Sequence, residues 1–255
     1  MAIISHLEYR FNLFTDAVLQ PALTAGIEFA LWIGIFRGAG TSSIAGFPRE
    51  SYLAYAAWAP FFARISANWM YEYRMLDEIQ SGSVNAILSR PLSFYEFYLS
   101  QFMGYKALTS ALSLAVIVAV FAVVDSSTIL QRLPLSLLLV IFYLILAHTI
   151  SFTVACLGFY FNNVGGLTMG KNITLWMLSG ELFPLDMAPE PFRGWLMALP
   201  FSAGVYRPVG FLVGRIGYAE MGSGFVSVAI GLAAFGAVAR MAWMGGRRRY
   251  AGTGA

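Results

Sequence analysis

The chain has 255 residues, of which 58% are hydrophobic and 11% charged, with a formal net charge of +3. Soluble domains carry about 25% charged residues, so lipid must be the solvent for much of this surface. A small, dispersed positive charge gives no footprint for nucleic acid, and two histidines (His6, His148) with one cysteine (Cys156) exclude an intrachain disulfide and give no metal-site spacing.

The first predicted element is a short amphipathic helix over residues 1–16. Ile4, Leu7, Phe11 and Phe14 recur at helical spacing, with His6, Glu8, Arg10 and Asn12 between them. That pattern suits a helix lying along the membrane surface; the other reading is a polar lead-in to the first span. Glu8 and Arg10 stand where a signal peptide would have its apolar core.

A membrane-crossing helix needs about 20 mainly apolar residues, and that measure predicts six spans, at roughly 17–36, 51–71, 102–124, 133–160, 166–183 and 223–244. The fourth holds no charged residue, whereas Arg64 and Lys171 interrupt or border the second and fifth. Six spans place both termini on one side. That side collects Arg10, Arg74, Arg90, Lys106, Lys171, Arg240, Arg247, Arg248 and Arg249, nine against six (Arg37, Arg49, Arg132, Arg193, Arg207 and Arg215). Arg64 belongs to neither set, and the terminal "GGRRRY" points both termini to the cytoplasm. The expected fold is an all-α polytopic membrane protein with a single transmembrane domain over 1–249. Two long connections interrupt it, one cytoplasmic (72–101) and one on the outer side (184–222), and a disordered tail over 250–255 follows it.

"GGLTMGKN", residues 165–172, nearly spells a phosphate-binding loop, with Gly165, Gly170 and Lys171 in place but Asn172 where a magnesium-ligating hydroxyl belongs. Working phosphate loops join a strand to a helix, whereas this segment joins two apolar runs. The expectation is a tight interfacial turn of Asn162, Asn163, Gly165 and Gly166, with Lys171 reaching the headgroups.

The cytoplasmic connection contains "EIQSGSVNAILSRPLS", residues 78–93. Ile79, Val84, Ile87 and Leu88 form one apolar face while Gln80, Asn85 and Ser89 stay wet. Gly82 breaks the incoming helix, Arg90-Pro91 ends the segment, and Ser93 is the N-cap of the next helix. Such an element is either a projecting handle whose apolar anchors sit in a partner's groove or a connector lying on the bilayer.

The run I-x-x-G-x-x-x-x-x-L-x-R-P-L-S from Ile79 to Ser93, and "SGELFPLDMAPEPFRGWLMALPFSAGVYRP" over 179–208, resemble bacterial ATP-binding-cassette permeases of the type-2 exporter superfamily. The likeness is to the branch of short permeases encoded apart from their ATPase, and it covers most of the chain. It implies two permease subunits, identical or related, above two ATPase subunits that hold ATP and Mg, so this chain carries no catalytic, cofactor or metal residue. It assigns coupling to the ATPase to Glu78, Gly82, Asn85, Leu88, Arg90 and Pro91, and places the chain in the bacterial cytoplasmic membrane. It also implies outer re-entrant half-helices. Locally, 191–214 is too apolar for a solvent loop and too broken by Pro191, Pro200 and Pro208 for one span. A lid lined by Phe183, Pro184, Pro200, Phe201 and Tyr206 is one reading, and a surface amphipathic helix the other.

Glu28, Arg64 and His148 fall within predicted spans, where a charge costs about 2.5–3.5 kcal/mol at the bilayer centre. With Asn68, they are candidates for a translocation path or for buried pairs; His148 reads as a neutral packing residue, and Asn68 and Trp69 also read as interface anchors. The implied function is ATP-driven export of an amphipathic, lipid-like or drug-like cargo by alternating access. The alternatives are a membrane scaffold and an integral-membrane enzyme, the latter disfavoured because polar residues are scattered.

Overall fold

The computed structural model describes residues 10–121 and 127–250. Residues 1–9 of the expected surface helix, the end of the third expected span at 122–124, and 251–255 of the expected tail lie outside the described residues.

Helix α1 (Arg10–Phe14), a π-helical turn (Thr15–Leu19) and α2 (Gln20–Ala39) follow one another without leaving helical backbone. Nothing in 10–20 breaks a helix, so the described part of the expected surface helix continues into the first apolar helix. Gly40, in the left-handed conformation, stops α2. A two-residue turn at Ala45 and Gly46, both at positive φ, then joins β1 (Ser43–Ile44) to antiparallel β2 (Phe47–Pro48).

The remaining helices are α3 (Arg49–Ser66), α4 (Glu72–Ser81), α5 (Asn85–Leu88), α6 (Phe94–Phe121), α7 (Ser127–Cys156), α8 (Gly165–Ser179), α9 (Phe192–Ala198), α10 (Tyr206–Leu212) and α11 (Tyr218–Arg249). Short 3-10 turns lie at Leu157–Phe159, Leu185–Met187 and Pro200–Ala203. Apart from the small ribbon, the described chain is helical.

Among the described residues, three helices are long and apolar enough to cross a membrane: Phe11–Ala39, Thr128–Phe159 and Tyr218–Arg249. The second and fifth expected spans are shorter than their apolar runs. α3 has 18 residues and α8 has 15, which at 1.5 Å per residue span about 27 and 22 Å. α8 ends at Gly180 because its φ is +89° and a Cβ there would come within 2.5 Å of the Tyr206 Cβ. Pro60 sits inside α3, whose residues from Tyr55 to Ser66 are nearly all buried.

α7 is the hub. Most of its apolar window is buried, while α2 and α11 leave most of theirs uncovered. One face of α7 (Leu139, Tyr143, Leu146, Ala147) packs with Trp58 and Phe62 of α3 and Tyr206 and Val209 of α10. Met75, Ile79, Val84, Phe94, Phe152 and Cys156 form a second cluster at the other end. Lipid gives no hydrophobic drive between helices, so close backbone approach must supply dispersion energy instead. α11 achieves this at Gly224 and Gly231, where a Cβ would lie 2.8 Å from Arg207 Cδ and 3.0 Å from Pro200 Cγ. Gly236 on the same helix faces open space.

Gly231→Val is therefore expected to destabilise the isolated chain by about 1–3 kcal/mol, seen as a lower unfolding temperature in detergent, because Pro200 cannot retreat like a flexible side chain. Gly236→Ala should leave that temperature unchanged or raise it. Equal behaviour of the two variants would show that α11 does not pack as described.

Candidate functional site

The break between α3 and α4 exposes backbone at the depth of the bundle, and a buried polar centre satisfies it. Lys171 of α8 donates from Nζ to Glu72 Oε2 (2.7 Å), Ser151 Oγ (3.1 Å) and the Asn68 carbonyl (3.3 Å). Asn68 Nδ2 donates to Ser151 Oγ (3.0 Å) and the Ala147 carbonyl (3.1 Å). Glu72 is 0% exposed and Lys171 9% exposed. One ion pair thus ties α4, α7, α8 and the 67–71 break together. This corrects the expectation that Lys171 reaches the headgroups: its amine is consumed inside the protein. Gly165 and Gly166 also differ from the expected turn, since they open α8, with Asn163 Oδ1 accepting from the Gly165 N–H at 3.0 Å. Nothing in the spacing of Glu72 and Lys171, 99 residues apart, marks them as partners.

The 78–93 segment follows. Gly82 ends α4 at φ +84°, α5 is a single turn, and the Ser93 Oγ accepts from the Glu96 N–H at 3.4 Å at the start of α6. Ile79 and Val84 are buried against Met75, Phe94 and Phe152, with Ile87 and Leu88 packed beside them. The apolar face expected to sit in a partner's groove is therefore used within the chain. The reason is that α4 lies against α7, which turns that face inward. What remains exposed is the polar rim: Asn85, Ser89, Arg90 and Pro91, with Leu92. Glu78 lies 3.7 Å from Arg74 and is half-buried, while Arg90 has no ion-pair partner among the described residues. Two staples hold the segment. Tyr250 OH donates to the Gly82 carbonyl (3.2 Å), and Gln80 Nε2 donates to the carbonyls of Phe161 (3.2 Å) and Asn162 (3.0 Å). Tyr250, expected in a disordered tail, is one of these staples.

At the opposite end, residues 180–217 fold into short helices, and α10 is buried along its whole length. Arg215 makes a two-pronged pair with Asp186 (2.8 Å to each oxygen), donates to Ser51 Oγ (3.0 Å), and lies over the rings of Phe47 and Tyr52 at 3.8 and 4.4 Å. Arg207, also buried, donates to Ser202 Oγ (2.9 Å), Ser223 Oγ (2.7 Å) and the carbonyls of Met197 and Glu220. Of the five expected lid residues, Phe183 is exposed, Pro200 and Phe201 are half-buried, and Pro184 and Tyr206 are interior. Tyr206 donates to Asp186 Oδ2 at 3.2 Å, so it faces the core rather than an open path.

The polar residues of the spans separate into two groups. Arg64 pairs with Asp16 in the π-helical turn, and Tyr105 OH donates to the same carboxylate at 2.8 Å. Lys106 Nζ, buried, donates to the Arg64 carbonyl at 3.1 Å. Two cavities of about 80 and 20 Å³ share Ala63, Ala67, Trp69 and Glu181; Arg64 lines the first, and Asn68 and Asn172 the second. Glu28 lies within electrostatic reach of Glu181. Asn172 is 2% exposed, and neither of its amide atoms has a hydrogen-bond partner among the described residues. Arg64 and Asn68 therefore border one crevice, together with Glu181 and Asn172, which sequence reading did not single out, while Glu28 lies outside its lining. His148 lies elsewhere, its Nε2 3.2 Å from the Tyr95 carbonyl and its ring among Tyr71, Tyr95 and Phe102.

A family model described as "ABC-2 family transporter protein" matches residues 22–254 of the chain. Comparison with curated proteins and with solved structures gives no match.

Removing one partner of a buried ion pair leaves the other charge uncompensated, at a cost of about 3–5 kcal/mol. Lys171→Met should therefore lower the unfolding temperature of the purified chain sharply. Adding Glu72→Leu to it should recover most of the loss. A double variant no more stable than Lys171→Met alone would show that the two side chains are not coupled.

Proposed function

The chain belongs to the ABC-2 transporter family, and from that premise we propose that it is the permease subunit of an ATP-driven exporter, moved by a separate ATPase that grips the rim at Asn85–Leu92. The observation that carries this reading is the connection between rim and bundle. The protruding segment is rooted through Glu72 on Lys171 of α8 and stapled through Gly82 to the end of α11. A push on the rim then loads both helices together, through a buried, multiply bonded ion pair at one joint and a part-buried hydrogen bond at the other.

On this reading, ATP and Mg are held by the ATPase, whose closure favours one of two packings of the bundle over the other. Gly82 sets the angle of the handle, Leu88 anchors it from within, and Asn85, Arg90 and Pro91 meet the ATPase; Glu78 steadies Arg74. Six crossings place the handle and both termini in the cytoplasm of a bacterium. In support, Lys106 and Lys171 on one side, and Arg207 and Arg215 on the other, are buried in the protein. Setting these aside leaves a bias of seven against four toward the handle side.

A second permease, the same chain or a related one, covers the face that holds the crevice. There α2 exposes Leu23, Ile27 and Leu31, and α8 exposes Met169, Ile173 and Met177. The path runs along this face, past Glu28, Arg64, Asn68, Glu181 and Asn172, and under an outer cover that includes Phe183, Pro200 and Phe201. Polar groups set in an apolar wall suit an amphipathic cargo.

Arg90→Glu reverses an exposed, unpaired charge without touching the core. It is expected to weaken co-purification of the ATPase at least tenfold, about 1.4 kcal/mol and the low end for like charges brought together at an interface. Arg193→Glu at the opposite end should leave it unchanged. Full retention of the ATPase by Arg90→Glu would remove the rim from the contact.

A further inference from the structure

A cavity of about 340 Å³ opens between the start of α6, α7 and α11, apart from the crevice and the rim. Its polar lining is Arg240 with the hydroxyls of Ser93, Tyr95 and Thr149; Phe152, Leu232 and Trp243 supply apolar wall. Arg240 is exposed and has no ion-pair partner among the described residues. Tyr95 OH and Thr149 Oγ1 hydrogen-bond each other at 2.8 Å, and Trp243 is held in place by stacking on Phe94 (ring centroids 5.2 Å apart). Thr149 donates its hydroxyl hydrogen to the Ile145 carbonyl (2.8 Å) and so accepts from Tyr95, which leaves Arg240 and the Ser93 hydroxyl as the donors on one side of the cavity, facing a rigid apolar surface on the other.

Depth decides what such a site meets. Between Glu220 and Arg240, α11 carries no charged residue, and twenty residues of helix rise about 30 Å, the thickness of the hydrocarbon core. Arg240 thus stands at one edge of that core, at the level of the lipid phosphates, with Arg247, Arg248 and Arg249 beyond it. A free anion from water would gain nothing from the apolar half of the cavity, whereas a phospholipid presents a phosphate and a chain together. Basic pockets between membrane helices take anionic headgroups in this way.

We propose that this cavity binds an anionic phospholipid of the leaflet at the Arg247–Arg249 end, with its phosphate on Arg240 and Ser93, its glycerol end beside Trp243, and an acyl chain running inward along Leu232. The site is a property of this chain alone and does not depend on the ATPase.

The test uses the purified full-length chain in phosphatidylcholine vesicles, titrated with phosphatidylglycerol or phosphatidylcholine brominated high on its chains, close to the glycerol. Quenching of Trp243 is read as the difference between the protein and its Trp243→Phe variant. Phosphatidylglycerol should quench at lower mole fraction than phosphatidylcholine, and Arg240→Gln should weaken that preference about tenfold. Gly236→Leu, which extends into the open cavity, should reduce quenching by both lipids. Arg248→Gln and excess inorganic phosphate should change little. The proposal is overturned if Arg240→Gln keeps the preference, if Arg248→Gln loses as much of it, or if inorganic phosphate displaces the lipid.

Discussion

In a medium without water, a buried charge must find its counter-charge inside the protein, and the Glu72–Lys171 pair is where this chain meets that demand at greatest cost. Neither charge has a route to solvent, and each would be strongly unfavourable alone. The pair persists because the 67–71 break brings further partners: the Asn68 carbonyl and Ser151 Oγ take the remaining ammonium protons. Helix α4, which would otherwise be a polar connector free to swing, is held against α7 by this centre. The burial of Ile79 and Val84 follows from that position.

The same solution recurs at the other end with different parts. Arginine, planar and always charged, suits sites where several carbonyls and a carboxylate converge. Arg215 fixes the 185–187 turn and the small ribbon to α3, and Arg207 fixes the 197–202 stretch to α11. The non-helical backbone between the short helices faces protein, covered by these two cations with α10 buried behind them. The bundle is thus tied at both ends by ion-centred joints. Its middle is held by apolar packing on α7 and close glycine contacts along α11. Rigid ends and a middle held by non-directional contacts are what a bundle needs if helices are to tilt while keeping their connections.

Asn172 has no such settlement. A buried amide with no hydrogen bond is expensive unless something outside the chain completes it, whereas Glu181, in the same crevice lining, takes a side-chain hydrogen bond from Trp176. That imbalance lies in the crevice lined by residues of α3 and α8, and His148 Nδ1 is likewise buried without a hydrogen-bond partner among the described residues. Arg64, by contrast, is neutralised by Asp16, and the π-helical turn places that carboxylate beside both Arg64 and Tyr105.

Composition and apolar run length by themselves determined that the chain is helical and lives in lipid. Gly82, Ser93 and the prolines after residue 184 likewise marked the ends of short elements, because a backbone preference acts within a few residues and can be read locally. What only the tertiary structure decided is how each polar or apolar face is used. Lys171 looked like a headgroup anchor and is a core ion. Ile79 and Val84 looked like a docking face and are core. Tyr206 looked like a gate residue and bonds inward to Asp186. Tyr250 looked like tail and holds the Gly82 loop. In each case the partner lies far along the chain or on the opposite side of the bundle, and a side chain's character does not specify which distant atom will satisfy it. Lipid sharpens the point: inside a membrane an apolar surface is equally content against lipid or protein, so hydropathy alone cannot separate an outward face from an inward one.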